Sequence, residues 1–266
     1  PTISGLRRRR YPSNSIRDFC QHIGIAKTNS THEIELLESF VRTELNQSSQ
    51  RRMAVIDPVR LTITNWPEGT TEYRTAINNP EDESAGTREV PFSGQLFIER
   101  EDFMEDPPAK FFRLSPGREV RLRYGYFVTC TDIVKDKSGK VVEILCTYDP
   151  ETSGGKAPDG RKVKATIHWV EENNCIRASV ATYDRLFASE RPDLLDDPFE
   201  DLNRESLEVL ESAVCEPSVA DIAGGDVIQF ERLGYFCRDE TQLNHFHRTV
   251  GLRDEWANIQ KRNKSK

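Results

Sequence analysis

The sequence predicts a mainly β protein with an N-terminal helical subdomain, its strands closed into two antiparallel β-barrels. Three observations carry this reading. The first fifty residues space their apolar positions with a helical period, and from Met53 onward the period drops to two. Between the strands lie polar turns and no helix long enough for a βαβ crossover, which favours antiparallel barrels over a doubly wound sheet. Some 180 residues of this pattern, roughly, exceed what one small barrel needs.

Taken in order, Pro12-Ser13-Asn14 offers a helix start, Ile16, Phe19 and Ile23 fall at i, i+3 and i+7, and Gly24 supplies the stop. A second helix is expected to open at Ser30, with Glu33 as capping-box partner and Leu37, Val41 and Leu45 as its apolar stripe. Strands are expected over residues 60–66, 95–98, 120–131, 141–148, 163–170, 176–183 and 227–237. Turn signals separate them, among them Asp136-Lys137-Ser138-Gly139, Ser153-Gly154-Gly155, Pro158-Asp159-Gly160 and Gly224-Gly225. Residues 67–91 and 188–225 are polar, acidic and proline-containing, and are expected to be long loops or linkers.

Composition bounds the function. No apolar run reaches the ~18 residues of a membrane span, and no apolar core follows the arginines of a secretory-type start. The chain opens on Pro1 instead of Met, so it is expected to be a piece of a longer polypeptide. Six scattered cysteines form no C-x-x-C pair, which supports neither a zinc site nor a redox motif and fits reduced thiols in the cytoplasm. The net charge is −7, but it is unevenly spread: residues 1–60 carry ten Lys and Arg against six Asp and Glu, and residues 241–266 six against two. Basic ends around an acidic middle are compatible with a polyanion held along one side, or with ordinary variation of surface charge.

The stretch from Val120 to Thr131 is the most informative. Read as one strand, it puts Arg121 and Arg123 on the same face, about 7 Å apart. Guanidinium groups bond phosphates bidentately or stack on unpaired bases, and nearby aromatics supply stacking platforms. The alternative is a solvated strand face paired with acidic neighbours. Arg7, Arg8, Arg9 and Arg10 form a run suited to phosphates, and Arg51-Arg52 is a second basic point. Signs of catalysis are thin. His245 and His247 share a strand face without a third ligand at metal spacing, and His168 beside Trp169 reads as a packed core residue. No nucleophile elbow, phosphate loop or dinucleotide fingerprint occurs. No catalytic residue and no metal ligand is therefore assigned.

Ordered motifs along nearly the whole chain carry a resemblance. They begin with Pro1-Thr2-Ile3-Ser4-Gly5-Leu6-Arg7-Arg8-Arg9 and Arg52-Met53-Ala54-Val55-Ile56-Asp57-Pro58, and continue with Gly117-Arg118-Glu119-Val120-Arg121-Leu122-Arg123. Asp159-Gly160-Arg161-Lys162-Val163-Lys164, Ile167-His168-Trp169-Val170 and Gln229-Phe230-Glu231-Arg232-Leu233-Gly234-Tyr235-Phe236 come next, and Arg248-Thr249-Val250-Gly251-Leu252-Arg253-Asp254 closes the set. In this order they resemble the anticodon-binding half of glutaminyl-tRNA synthetases, class I aminoacyl-tRNA synthetases. Ser4-Gly5-Leu6 and the block from Gln229 to Phe236 favour that family over the archaeal or eukaryotic-type glutamyl-tRNA synthetases, which share the architecture. A barrel-type interaction module that does not bind RNA is the reading from another class.

The resemblance implies three parts: a helical subdomain over residues 1–51 leading from the catalytic domain, a proximal barrel from 52–106 plus 188–266, and a distal barrel over 107–187. It implies that Arg51, Arg113, Arg121, Arg123, Gln229, Arg232 and Arg253 contact the anticodon, and that Arg7 to Arg10 contact the tRNA backbone. The partners implied are glutamine tRNA, held at its anticodon stem-loop and the inner face of the L, and a catalytic domain upstream of Pro1. The family's ATP-binding motifs lie upstream of the matched stretch, so ATP and magnesium are expected in the parent ligase and no cofactor in this piece. A cytoplasmic monomer without membrane contact is expected. Three positions depart from the family: Arg10 stands where glycine is common, Phe112 where a basic residue is common, and Glu255 where some members carry a small hydroxyl residue.

Overall fold

Three helices open the chain in the computed structural model, which describes residues 2–28, 30–189 and 191–253. Helix α1 (Ile3–Arg8) is capped by Thr2, whose hydroxyl accepts the Gly5 N–H at 3.0 Å. Helix α2 (Ser13–Ile23) ends at Gly24, whose φ of 69° is the left-handed cap that glycine adopts without strain. Helix α3 (Ile34–Ser48) starts later than the capping-box reading predicts. Glu33 stands at its N-cap and makes no side-chain cap bond, while the Ser30 hydroxyl meets His32 Nε2 at 2.9 Å. The predicted stripe of Leu37, Val41 and Leu45 is buried with Tyr11, Tyr235 and Val250, and Ile16 and Phe19 of α2 pack on its margin. Each such aliphatic burial stabilises by roughly 1.5–3 kcal/mol. None of the described helices is long and apolar enough to cross a membrane.

The chain divides into two compact units. The first takes the segments up to Gln50, from Ser179 to Glu211 and from Ala223 onward; the second takes Arg51–Ala178 and Ser212–Ile222. The second unit holds β1 (Arg51–Arg52), β2 (Ala54–Val55), β3 (Pro58–Ile63), β4 (Glu72–Ile77), β5 (Thr87–Phe92) and β6 (Gln95–Glu99). It continues through β7 (Glu119–Leu122), β8 (Phe127–Lys135), β9 (Val141–Asp149), β10 (Thr166–Ile167) and β11 (Val170–Glu171). Seven of these form a barrel-like sheet in the order β10-β7-β8-β9-β3-β6-β11. The sheet is mixed: β10 runs parallel to β7 and β3 parallel to β9, and the remaining pairs are antiparallel. Because β3 lies between β6 and β9, strands from 58–63 and 95–99 share one sheet with those of 119–149, while β4 and β5 pair as a separate hairpin. The second unit thus takes residues 51–178 together with 212–222.

The core of this unit is aromatic at one end. Phe92 lies 5.0 Å from Trp66, 5.6 Å from Tyr126 and 4.8 Å from Trp169, ring centre to ring centre, in edge-to-face geometries. Val59, Leu61 and Ile63 of β3 alternate into it, as the predicted period-two pattern requires.

β12 (Ile176–Tyr183) passes from the second unit into the first, where it pairs in parallel with β16 (His245–Gly251), opposing Ser179 to His245. β14 (Val227–Phe230) and β15 (Gly234–Arg238) form a hairpin, and β15 pairs antiparallel with β16. β13 (Leu207–Cys215) begins in the first unit and ends in the second, where Val214 and Cys215 oppose Val55 and Ala54 of β2.

Five expectations need correction. Residues 67–91 hold the β4/β5 hairpin instead of a loop, and 188–225 hold β13. Both escaped the alternation test because their faces are not cleanly apolar: Tyr73 and Ile77 are exposed while the opposite side of β4 carries Glu72 and Arg74, an ion pair. The strands read over 120–131 and 227–237 are each broken by a turn, and 163–170 shrinks to the two short strands β10 and β11.

One buried carboxylate ties the Ser212–Ile222 segment into the second unit. Glu216, 1% exposed, accepts the Met53 N–H at 2.9 Å and binds Arg88 through Nε at 2.5 Å and Nη2 at 3.0 Å. Arg52 Nε lies 3.9 Å away. Burial and the charge of Arg88 hold the Arg52 guanidinium below its ordinary pKa, against the pull of Glu216. Removing the carboxylate takes a close anion from two buried guanidiniums, so Glu216→Ala is expected to destabilise this unit by about 3–5 kcal/mol. Urea unfolding followed by the fluorescence of Trp66 and Trp169 measures it, and a loss below ~1 kcal/mol would contradict the brace.

Candidate nucleic-acid interface

The strand carrying Arg121 ends at Leu122, where the chain enters a tight turn. The Gly125 N–H donates to the Leu122 carbonyl at 2.9 Å and the Leu122 N–H to the Tyr126 carbonyl at 2.8 Å. Tyr124 takes a left-handed backbone with φ 61°, a conformation that costs a non-glycine residue roughly 1–3 kcal/mol and persists only where the surroundings impose it. Those surroundings are specific. A Cβ on Gly125 would lie 2.9 Å from the buried Phe92 ring, so only glycine lets the turn sit on the aromatic core. The Arg123 N–H donates to the Ile167 carbonyl at 2.9 Å, and its carbonyl accepts Trp169 Nε1 at 2.8 Å.

Arg121 and Arg123 therefore reach one cleft, although a turn and not the continuous strand face of the sequence reading brings them there. The cleft has a volume of about 230 Å³ and is lined by Arg51, Ile77, Pro80, Arg121, Arg123, Tyr124, Gly154 and Thr166. Arg121 Nε donates to Thr166 Oγ1 at 2.9 Å, which fixes one edge of its guanidinium. Its stem crosses Gly155, where a Cβ would collide with the Arg121 Cδ. The Arg123 guanidinium stands 4.9 Å from the centre of the Tyr124 ring. Arg51 is 4% exposed and held by its backbone, the N–H donating to the Asn78 carbonyl at 2.6 Å. No carboxylate appears among the described lining residues. Three guanidinium donors beside an aromatic face suit an unpaired base edge and its flanking phosphates.

Tyr124 was missed by the period-two reading, which placed only Arg121 and Arg123 on the shared face. The signal that could have found it is the Tyr124-Gly125 pair, a turn marker inside an otherwise alternating run.

Arg113 stands apart from this cleft. Its Nη1 donates to the Glu101 carboxylate at 3.0 Å, and its Nε lies 3.2 Å from the fully buried Asp102. At the neighbouring Phe112, Lys164 Nζ sits 4.8 Å from the ring centre.

The remaining candidates lie in the first unit. Gln229, on β14, is 9% exposed and opposes Tyr235; its N–H donates to the Gln50 carbonyl at 2.8 Å. Arg232 occupies the β14–β15 turn with φ 69°. It lines a cleft of about 390 Å³ together with Arg9, Arg42, Arg185, Arg248 and Arg253, and with Glu38 and Asp184.

The four-arginine run does not act as one. Arg9 is structural: its Nε donates to the Arg248 carbonyl at 3.1 Å and its Nη2 to the Thr249 carbonyl at 2.7 Å, with the guanidinium 4.9 Å from the Tyr183 ring centre. Arg10 has φ 57° and pairs with Glu240. A left-handed backbone is where glycine is favoured. Arg7 and Arg8 are exposed and line, with Arg10 and Arg238, a cleft of about 520 Å³ whose wall also carries Asp239, Glu240 and His247. Glu255 and Asp254 lie outside the described residues.

His247 bridges Asp239 Oδ2 at 2.8 Å and the Tyr183 hydroxyl at 2.7 Å, while His245 Nδ1 meets the Ser179 hydroxyl at 2.6 Å. The hydrogen bond from His247 holds the Asp239 carboxyl well below the usual carboxylate range. Among the described residues no three His, Cys, Asp or Glu side chains gather as a metal site would require. The six cysteines are unbridged.

Comparison with known proteins gives a consistent result. Residues 49–149 and 166–239 match two families described in the same words, the anti-codon binding domain of class I (E and Q) tRNA synthetases. A glutamine–tRNA ligase of Rhodopirellula baltica is 54% identical over 270 residues, covering 99% of this chain and 45% of the relative. The glutamine–tRNA ligases of Nitrobacter winogradskyi and Clostridium perfringens are 50% and 48% identical, covering 97% and 96% of this chain and 47% of each relative. The chain thus spans slightly less than half the length of the curated relatives it matches.

The histidine cluster predicts a pH dependence. Burial, aided by the charge of His247, holds His245 below its ordinary value of 6.5. The unfolded chain then takes the proton more readily, so this contribution is complete above the unfolded value and is lost as pH falls through it. The melting temperature should drop between pH 7.5 and 5.5, and His245→Gln should flatten that slope. An unchanged slope in the variant would contradict the assignment.

Proposed function

Since the chain belongs to the anticodon-binding domains of class I (E and Q) tRNA synthetases, we propose that it grips glutamine tRNA and reads its anticodon for a longer enzyme that ligates glutamine to that tRNA. The observation that carries this reading is the convergence of Arg51, Arg121 and Arg123 on one cleft beside Tyr124, without a carboxylate among its described lining residues. Sequence-specific RNA recognition targets unstacked bases that can be splayed into such sites, stacked on aromatic or guanidinium planes and bonded along their edges. Glutamine is preferred over glutamate as the cognate amino acid because the relatives at about half identity carry the name glutamine–tRNA ligase.

Within this reading Arg121 and Arg123 contact a base edge or its phosphate, and Arg51 supports them from the wall of the cleft. Gln229, Arg232 and Arg253 serve a second base from the first unit, while Arg7, Arg8 and Arg10 face the tRNA backbone with Arg9 bracing them. Arg113 contributes a base or phosphate contact at the cost of its pairing with Glu101 and Asp102. The catalytic domain, with the ATP and magnesium it requires, belongs to the part of the enzyme upstream of Pro1. The whole acts as a monomer in the cytoplasm, away from membranes.

Binding to glutamine tRNA and to an anticodon-swapped version, across a salt series, tests the proposal. Affinity is expected to fall steeply with salt for both and to favour the cognate anticodon. Arg121→Ala or Arg123→Ala should cost about 1–3 kcal/mol and relax the preference. Equal affinity for the two tRNAs, or a loss below ~0.3 kcal/mol in both variants, would return these arginines to a solvated face.

A further inference from the structure

Arg121 is the divider between two clefts of the second unit. On one flank lies the Tyr124 cleft. On the other lies a cleft of about 450 Å³, lined by Arg121, Phe127, Gly155 and the 156–163 loop with Lys156, Arg161 and Lys162. The two share the Arg121 side chain, and the adjacent Gly154 and Gly155 face one each. Gly155, with φ 79°, has no room for a Cβ against the Arg121 stem. The arginine is therefore seated between the clefts by the backbone beneath it and by Thr166 at its Nε.

The 156–163 loop is held by its own arginine. Arg161 donates from Nε and Nη2 to the two Glu119 oxygens at 3.0 and 3.1 Å and from Nη1 to Asp159 at 2.7 Å; it also pairs with Asp149 and lies 5.6 Å from the Phe127 ring centre. Its hydrogen bonds hold the Asp149 and Asp159 carboxyls below their ordinary values. Glu119 lies on β7 and Asp149 ends β9, so this network pins the loop to both strands. With its donors engaged by three carboxylates, Arg161 is a brace and not a ligand group. The exposed Lys156 and Lys162 are the remaining cations of the loop at the cleft, and no carboxylate is among the described lining residues. The two first-unit clefts described above, by contrast, carry acidic side chains in their walls.

We propose that this second cleft is a phosphate subsite. Lys156 and Lys162 hold the phosphodiester of the nucleotide adjoining the one whose base enters the Tyr124 cleft, and Arg121 is shared between the two. The inference rests on the anticodon-reading proposal, and adds to it a backbone grip at residues that proposal does not use. Ammonium groups suit this role because they hold a phosphate as point charges without demanding a base.

The test is the double variant Lys156→Ala/Lys162→Ala of the full chain, titrated with glutamine tRNA and its anticodon-swapped form at several salt concentrations. Both side chains are exposed, and an unchanged melting temperature confirms that the fold is retained. The expected result is an affinity loss on the order of tenfold, equal for the two tRNAs, with the salt slope reduced by about 2. The double replacement by arginine should keep the slope. Unchanged affinity and slope would overturn the subsite, and a loss confined to the cognate tRNA would overturn its assignment to phosphate. Should the unaltered chain bind neither tRNA, the RNA reading falls and the subsite with it; if it binds both equally, anticodon reading falls while the lysine slope still decides the subsite.

Discussion

The second unit is organised around the shared carboxylate of Glu216. A buried charge of this kind is tolerated only when its oxygens are satisfied, and here they meet the Met53 amide and two guanidiniums. The consequences run outward along the chain. Arg52, steadied by Glu216, donates from Nη1 to the Arg51 carbonyl at 2.8 Å and to Asn78 Oδ1 at 3.1 Å. The Arg51 amide in turn holds the Asn78 carbonyl, beside Ile77 and Pro80 of the cleft wall. One wall of the arginine cleft is thus set by a carboxylate that belongs to a distant part of the sequence.

The opposite wall is set by apolar packing. Gly125 rests on Phe92, Trp169 hydrogen-bonds the Arg123 carbonyl, and the left-handed Tyr124 is imposed between them. Long arginine side chains lose rotamer freedom on binding, and a stem already laid across Gly155 or stacked beside Tyr124 has less to lose. Such preorganisation lowers the entropic cost of holding a ligand in a cleft of modest size.

Much of this was legible in the sequence, and the reasons for the rest are local. Gly24 ended α2 where its left-handed cap required, and residues 176–183 form the strand their alternation predicts. The β4/β5 hairpin hid because it carries an ion pair where an apolar face would be expected. The turns at 123–125 and 231–233 hid because Tyr124 and Arg232 adopt positive φ without being glycine, so propensity pointed the wrong way. The sequence singled out the arginines, but not the different surroundings they occupy. Spacing alone cannot tell that Arg9 is consumed by backbone carbonyls and Arg113 by Asp102, while Arg121 and Arg123 meet in a cleft with no carboxylate among its described lining residues.

The most direct measurement is photo-crosslinking from glutamine tRNA carrying 4-thiouridine at each anticodon position in turn, with the linked peptides identified by mass spectrometry. The account predicts that at least one position crosslinks to the peptide holding Arg121, Arg123 and Tyr124. Efficient binding with anticodon crosslinks that fall only on other peptides would contradict it.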